Sequence, residues 1–242
     1  MLHHDLYYSN LESFFIELKA ANLIDNYYWF FNFDEFIPLK KKIKGQFIIG
    51  GLPHVIFPKK YSLDNFETTN SAEISFTVRD WRLIANKIYI NNNMELNNEI
   101  LILKYEIYNI IPSNKFHIEI KNLFMDELIK EKKCFFSNFS QNLYNNYNLT
   151  FYYCNKSVKN ILYEKLPNIK FSSIELNYIF ELTKEELIYE KDDYIIFMIT
   201  FFKFESNTNW LLGQIFTSKY NFVFDTSKKQ IGFYKSVKKI KL

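Results

Sequence analysis

The chain has 242 residues, 48% of them hydrophobic, and a formal net charge of +3. That length holds one large core or two modest lobes, and no run of about eighteen apolar residues marks a membrane span. The basic residues are too few and too scattered for a nucleic-acid footprint or a membrane-binding face, and the short clusters Lys40 to Lys44 and Lys238 to Lys241 read as solvated loop and tail.

Met1 to Asn10 is polar and lacks the cationic start and apolar centre of an export signal, so either the protein is not exported or the true start lies upstream. Ser9 to Ile24 predicts an amphipathic helix, with a Ser9-x-x-Glu12 capping box and Leu11, Phe14, Phe15, Leu18 and Leu23 on one side. Tyr28 to Phe33 predicts a strand, followed by Gly45-Gln-Phe-Ile-Ile-Gly50-Gly51. From Ile74 the pattern is mostly strand: Ile74, Phe76 and Val78 alternate, and Trp81 to Ile90 follow. Asn91 to Asn98 reads as a turn-rich break, Ile100 to Ile107 as a buried strand, and Ser113 to about Ile129 as a helix with Phe116, Ile120, Leu123, Phe124 and Leu128 on one face. Thr183-Lys-Glu-Glu186 makes a capping box for a short helix before the strand Tyr194 to Phe204. The end of the chain is the most legible part. Asn209 to Leu212 is an apolar strand stopped by Gly213; a short turn or helix follows. Val223, Phe224 and Ile231, Phe233 then form a hairpin around the polar Thr226 to Gln230. With only five glycines in the chain, each is expected where a side chain cannot be accommodated.

The order of features in that last segment resembles the end of the pepsin-like aspartic endopeptidases. Trp210-Leu211-Leu212-Gly213 matches the strand that closes the loop beneath the second catalytic aspartate, and the hairpin around Asp225 and Gly232 matches the close of the C-terminal lobe. Gly45 to Gly51 is similar to the Gly-rich strand between the family's lobes, the helix from Ser13 to the one that precedes the family strand matched by Tyr28 to Phe33, and Leu166 to Phe171 to a Phe-Pro-x-Ile-x-Phe strand. The resemblance runs from Ser13 to about Ser236. It implies a mostly β, pepsin-like acid protease fold truncated at its N-terminus: residues 1–70 as the remnant of an N-terminal lobe with the inter-lobe strand, and 71–242 as a nearly complete C-terminal lobe.

The family's chemistry does not carry over. Anchoring on Pro112 places Leu103, Lys104 and Tyr105 where the second Asp-Thr-Gly would stand, and no aspartate occurs from Trp81 to Met125. The strands bearing the first Asp-Thr-Gly have no counterpart. The reaction needs two carboxylates that share one proton, one acting as base on water and the other as acid toward the peptide carbonyl. A glutamate displaces its carboxyl by about a bond length, whereas such sites tolerate roughly 0.5 Å. Asp225-Thr226-Ser227 imitates the active triplet, but its neighbours assign it to the hairpin. The expectation is therefore a catalytically inactive pepsin-like homologue serving as a binding or structural subunit. The alternatives are a truncated or processed portion of an active endopeptidase, or an unrelated β-rich assembly subunit.

His3, His4, His54 and His117 lack zinc-like spacing with the two cysteines, and no cofactor or metal is expected. The aromatic residues read as core filler, since basic residues do not interleave with them. In this part of the C-terminal lobe the resemblance implies a disulfide, here Cys134 to Cys154, with two reduced, packed thiols as the alternative. Asn138, Asn148 and Asn155 head acceptor triplets that permit glycosylation. A truncated lobe leaves an inter-lobe face for a protein partner to cover, or for an extended peptide; neither nucleic acid nor a membrane span is expected. The resemblance suggests a secretory or endolysosomal location.

Overall fold

A computed structural model describes residues 14–35, 44–70, 80–90, 94–105, 107–141, 147–202 and 209–235. They form a mostly β protein with a few short helices. The chain divides into two compact units: Met1–Trp81 with Thr217–Lys241, and Arg82–Phe216. The units part after residue 81 and again after residue 216, because the closing hairpin hydrogen-bonds to the opening strands.

In the first unit, residues 14–20 form helix α1, which buries Phe15. It stops short of the expected Ile24 because Asn22 turns to a φ of +55°, and the Leu23 amide reaches back to the Leu18 carbonyl at 2.9 Å. This is the left-handed cap at which asparagine substitutes for glycine. Residues 9–13 of the expected helix lie outside the described residues. Five antiparallel strands follow in the spatial order β2 (Lys44–Ile49), β1 (Tyr28–Glu35), β14 (Val223–Asp225), β15 (Gln230–Tyr234) and β3 (Phe66–Asn70). A single turn of helix, α2 (Pro53–Ile56), carries proline at its start, where the missing amide costs nothing.

Strand alternation sends Phe30 to one face, into a core with Tyr61, Val223 and Tyr234. Trp29 faces the other way and stacks on Phe224 at 4.3 Å between ring centroids. Trp81 packs 4.8 Å from the same Phe224. Burying a large apolar side chain contributes about 1.5–3 kcal/mol, so these aromatics carry much of the unit's stability.

The second unit is a ten-stranded sheet. Its spatial order is β10 (Tyr178–Leu182), β9 (Ile169–Ser173), β4 (Arg82–Ile90), β5 (Met94–Leu103), β13 (Trp210–Leu212), β6 (Ile110–Ile111), β12 (Tyr194–Phe202), β8 (Tyr147–Asn155) and β7 (Cys134–Gln141), with β11 (Ile188–Lys191) also paired to β12. The break expected over Asn91 to Asn98 is shorter, since β5 begins at Met94 and pairs with Ile90. Asparagine disfavours strands, but the ladder to β4 and the burial of Leu96 override that local preference. The expected alternation at Ile74, Phe76 and Val78 lies outside the described residues.

The helical stretch after Pro112 forms as α3 (Asn114–Ile120), one wider turn over Lys121–Met125, and α4 (Asp126–Lys130). That wider turn shifts the helical phase, so Met125 is buried between Ile120 and Leu128. Helix α5 (Lys159–Lys165) leads into β9. The Thr183 capping contact is present, with the Glu186 carboxylate accepting from the Thr183 amide at 2.8 Å, but it closes a turn rather than opening a helix. Helix α6 (Gln214–Tyr220) follows β13 and spans the division between the units. Among the described residues no helix is long and apolar enough to cross a membrane.

Candidate functional site

Strands β5 and β6 are consecutive in the chain but not adjacent in the sheet, because β13 lies between them. It runs parallel to β5, with Trp210 opposite Leu101, Leu211 opposite Ile102 and Leu212 opposite Leu103. It runs antiparallel to β6, with Leu211 opposite Ile111 and Leu212 opposite Ile110. The connection over residues 104–109 must therefore curl around the end of β13. Hydrogen bonds from both sides of Gly213 hold it there. The Lys104 amide donates to the Leu212 carbonyl at 2.9 Å, and the Gln214 amide to the Ile107 carbonyl at 2.9 Å. The Ile215 amide donates to the Tyr108 carbonyl at 3.3 Å, and the Gln214 side-chain Nε2 to the Tyr105 carbonyl at 2.5 Å.

Gly213 makes this arrangement possible. A Cβ on it would stand 2.2 Å from the Asn109 carbonyl oxygen, 2.7 Å from that of Ile107 and 2.8 Å from that of Tyr108. Trp210, which anchors the strand, is fully buried; its ring lies 4.8 Å from Phe116 and 5.2 Å from Phe171. Leu211 is half-buried and Leu212 buried.

Leu103, Lys104 and Tyr105 thus sit where strand β5 gives way to the loop beside Gly213. Leu103 is only 5% exposed and presents hydrocarbon. Tyr105 as a residue is half-buried. Its hydroxyl, however, lies deep among protein atoms, and that desolvation pushes the phenol well above its ordinary 10. Among the described residues of this loop there is no carboxylate; Glu106 lies outside them. The loop as described is closed by its own hydrogen bonds and offers no acid–base pair.

The carboxylate next along β5 is Glu99, which is buried. Burial raises its pKa above the ordinary value, while the Lys115 ammonium and the Ser113 hydroxyl pull the other way. Neither Glu99 nor Gln214 was singled out by sequence reasoning. The only sequence signal for Gln214 is its place directly after the glycine of the closing strand, and Glu99 carries none, because burial of a polar residue is decided by the strands around it.

The other predicted positions lie elsewhere. Asp225 and Gly232 belong to the five-stranded sheet of the first unit, where the two strands of the hairpin pair Val223 with Gly232. Asp225 Oδ1 accepts from the Ser227 amide at 3.0 Å, the Ser227 hydroxyl at 2.6 Å and the Lys228 amide at 3.1 Å, so this carboxylate is committed to shaping the turn. The Cys134 and Cys154 sulfurs stand 1.98 Å apart as a disulfide between directly paired residues of β7 and β8. Asn138 is exposed and Asn155 half-buried, while the Asn148 side chain lies outside the described residues.

His3 and His4 also lie outside the described residues. His54 makes its contact through Nδ1, 2.9 Å from the Tyr234 hydroxyl. His117 stacks on Phe201 at 4.1 Å, and burial together with nearby Lys121 lowers its pKa. Among the described residues no three His, Cys, Asp or Glu side chains converge as a metal site would require. Comparison with protein-family models and with curated proteins gives no match to this chain.

Proposed function

We propose that this protein is a catalytically inactive homologue of the pepsin-like aspartic endopeptidases, serving as a binding or structural subunit. The observation that carries the reading is the pairing of Trp210–Leu212 alongside Leu101–Leu103. Two segments a hundred residues apart, each likened to the family on residue order, pair in one sheet, and that pairing supports the reading. Gly213 supports it further, since its close approach to three carbonyl oxygens of the 104–109 loop gives a physical reason for a glycine there.

Inactivity follows from side-chain chemistry at the matched position. A buried leucine neither activates water nor protonates a leaving group, and peptide hydrolysis of this type needs a pair of carboxylates.

The reading is tested by incubating the purified full chain with unfolded protein substrate at acid pH, with and without pepstatin. No cleavage above buffer is expected in either arm. Pepstatin-sensitive turnover would overturn the inactive assignment and favour a portion of an active endopeptidase.

A further inference from the structure

We propose that Asn138 carries an N-linked glycan at the edge of the ten-stranded sheet, an inference that does not depend on kinship with the peptidases. The chain holds three acceptor triplets, Asn138-Phe139-Ser140, Asn148-Leu149-Thr150 and Asn155-Lys156-Ser157, and the sequence does not rank them. The fold separates the first from the last. Asn138 is exposed, on β7, the terminal strand of the sheet order. Side chains stand above and below a sheet, and Asn138 has a neighbouring strand, β8, on one side only. Thr150, its direct partner on β8, donates its hydroxyl to Asn138 Oδ1 at 2.7 Å. That bond engages the carbonyl end of the amide and leaves Nδ2, the end that is modified, uncommitted to it.

Asn155 differs in burial and in its place in the sheet. It is half-buried, on a strand with β7 on one side and β12 on the other, and it faces Tyr194 in register. Its backbone N–H donates to the Lys133 carbonyl at 2.9 Å, and a tight helical turn over Lys156–Val158 begins directly after it. A bulky, hydrated glycan has less room there.

An independent observation points to the compartment. Cys134 and Cys154 bridge the same two strands. Disulfides persist in oxidising environments such as the secretory lumen, which is also where acceptor triplets of this kind are modified. In the transfer, Asn138 Nδ2 bonds to the anomeric carbon of an oligosaccharide carried on a polyprenyl pyrophosphate. The anomeric carbon–oxygen bond breaks, the lipid pyrophosphate departs with its electron pair, and the amide proton passes to a base of the transferase. No oxidant or reductant is consumed. The product has a physical use: Phe135 and Phe136 are 36% and 56% exposed on this terminal strand, and terminal strands with apolar side chains invite the addition of further strands. A glycan on Asn138, two residues from Phe136 and three from Phe135, obstructs that approach.

The test begins with protein isolated from its own cells, treated with an N-glycosidase in isotopically heavy water and analysed as peptides. The labelled conversion of asparagine to aspartate is expected at position 138 and not at 155. An unmodified Asn138 overturns the proposal, whatever the state of the cysteines. In parallel, the full chain is expressed behind a cleavable export leader in a eukaryotic host. Asn138→Gln is expected to lose one glycan's worth of glycosidase-sensitive mass, and Ser140→Thr to raise occupancy at position 138. Retention of the whole mass shift by Asn138→Gln also overturns it.

Discussion

The three carbonyl oxygens around Gly213 belong to backbone held by hydrogen bonds, so no side-chain rotation relieves a clash there. Gly213→Ala is expected to cost about 3 kcal/mol or more, read as a lowered urea midpoint. Gly232→Ala presses chiefly on the Phe66 ring, a side chain rather than held backbone, and should cost about 1 kcal/mol. A cost for Gly213→Ala no greater than that for Gly232→Ala would mean the loop is not packed as described. Leu103→Asp places an unpaired carboxylate at a buried position. A loss of about 3–5 kcal/mol at neutral pH, smaller in acid where the carboxyl is protonated, and no gain of peptide cleavage are expected. The half-buried His117 and the buried Glu99 give the second unit opposite pH trends. His117 has a folded-state pKa below its ordinary 6.5, so the stability of its neutral form is complete above that pH and is lost as pH falls below it. Glu99 has a folded-state pKa above 4.5, so its burial penalty is present at neutral pH and relieved as pH falls through the folded value. Thermal melts from about pH 7 to about pH 5 should show a flatter acid decline for His117→Phe, and a neutral-pH gain for Glu99→Gln that shrinks in acid.

At the scale of elements, the β7–β8 pair joins the edge of the sheet through one covalent link between residues separated by 20 positions. By the chain-entropy account, closing a loop of that size contributes about 3 kcal/mol. A Cys134→Ala, Cys154→Ala double variant, or wild type under reductant, is expected to lose roughly that amount in denaturant titration. Equal midpoints with and without reductant would show that the bridge contributes nothing. Elements whose side chains alternate strongly or whose ends are punctuated were legible in the sequence: β1, β4, β12, β13 and the final hairpin among them. The Asn-rich start of β5 was not, because its pairing with β4 outweighs local preference. Nor was the end of the turn at Thr183, where the capping bond that commonly opens a helix is satisfied within a turn that leads into a strand.

At the scale of the whole molecule, the first unit depends on pairings between chain ends. Tyr28 pairs with Asp225, and Thr68 with Gly232. Strands β14 and β15 stand in the middle of a five-stranded order, so a chain ending at Phe216 strands β3 and strips one side of β1. That truncation should abolish the cooperative unfolding of this unit and the near-ultraviolet signal of Trp29 stacked on Phe224, while the ten-stranded sheet persists; an unchanged signal would contradict the topology. Such long-range contacts also predict folding on a millisecond-to-second scale or slower. From residue order alone came the β-rich class, the glycine that stops the penultimate apolar strand, the hairpin after it, and the lack of any aspartate from Trp81 to Met125. These follow from local alternation, turn chemistry and composition. Only the tertiary structure decided that β13 inserts between β5 and β6, that Glu99 is buried, that the last hairpin joins the first strands, and that Cys134 faces Cys154. Each of those is a pairing between distant segments, set by the summed burial and hydrogen bonding of both partners, which no short window of sequence contains.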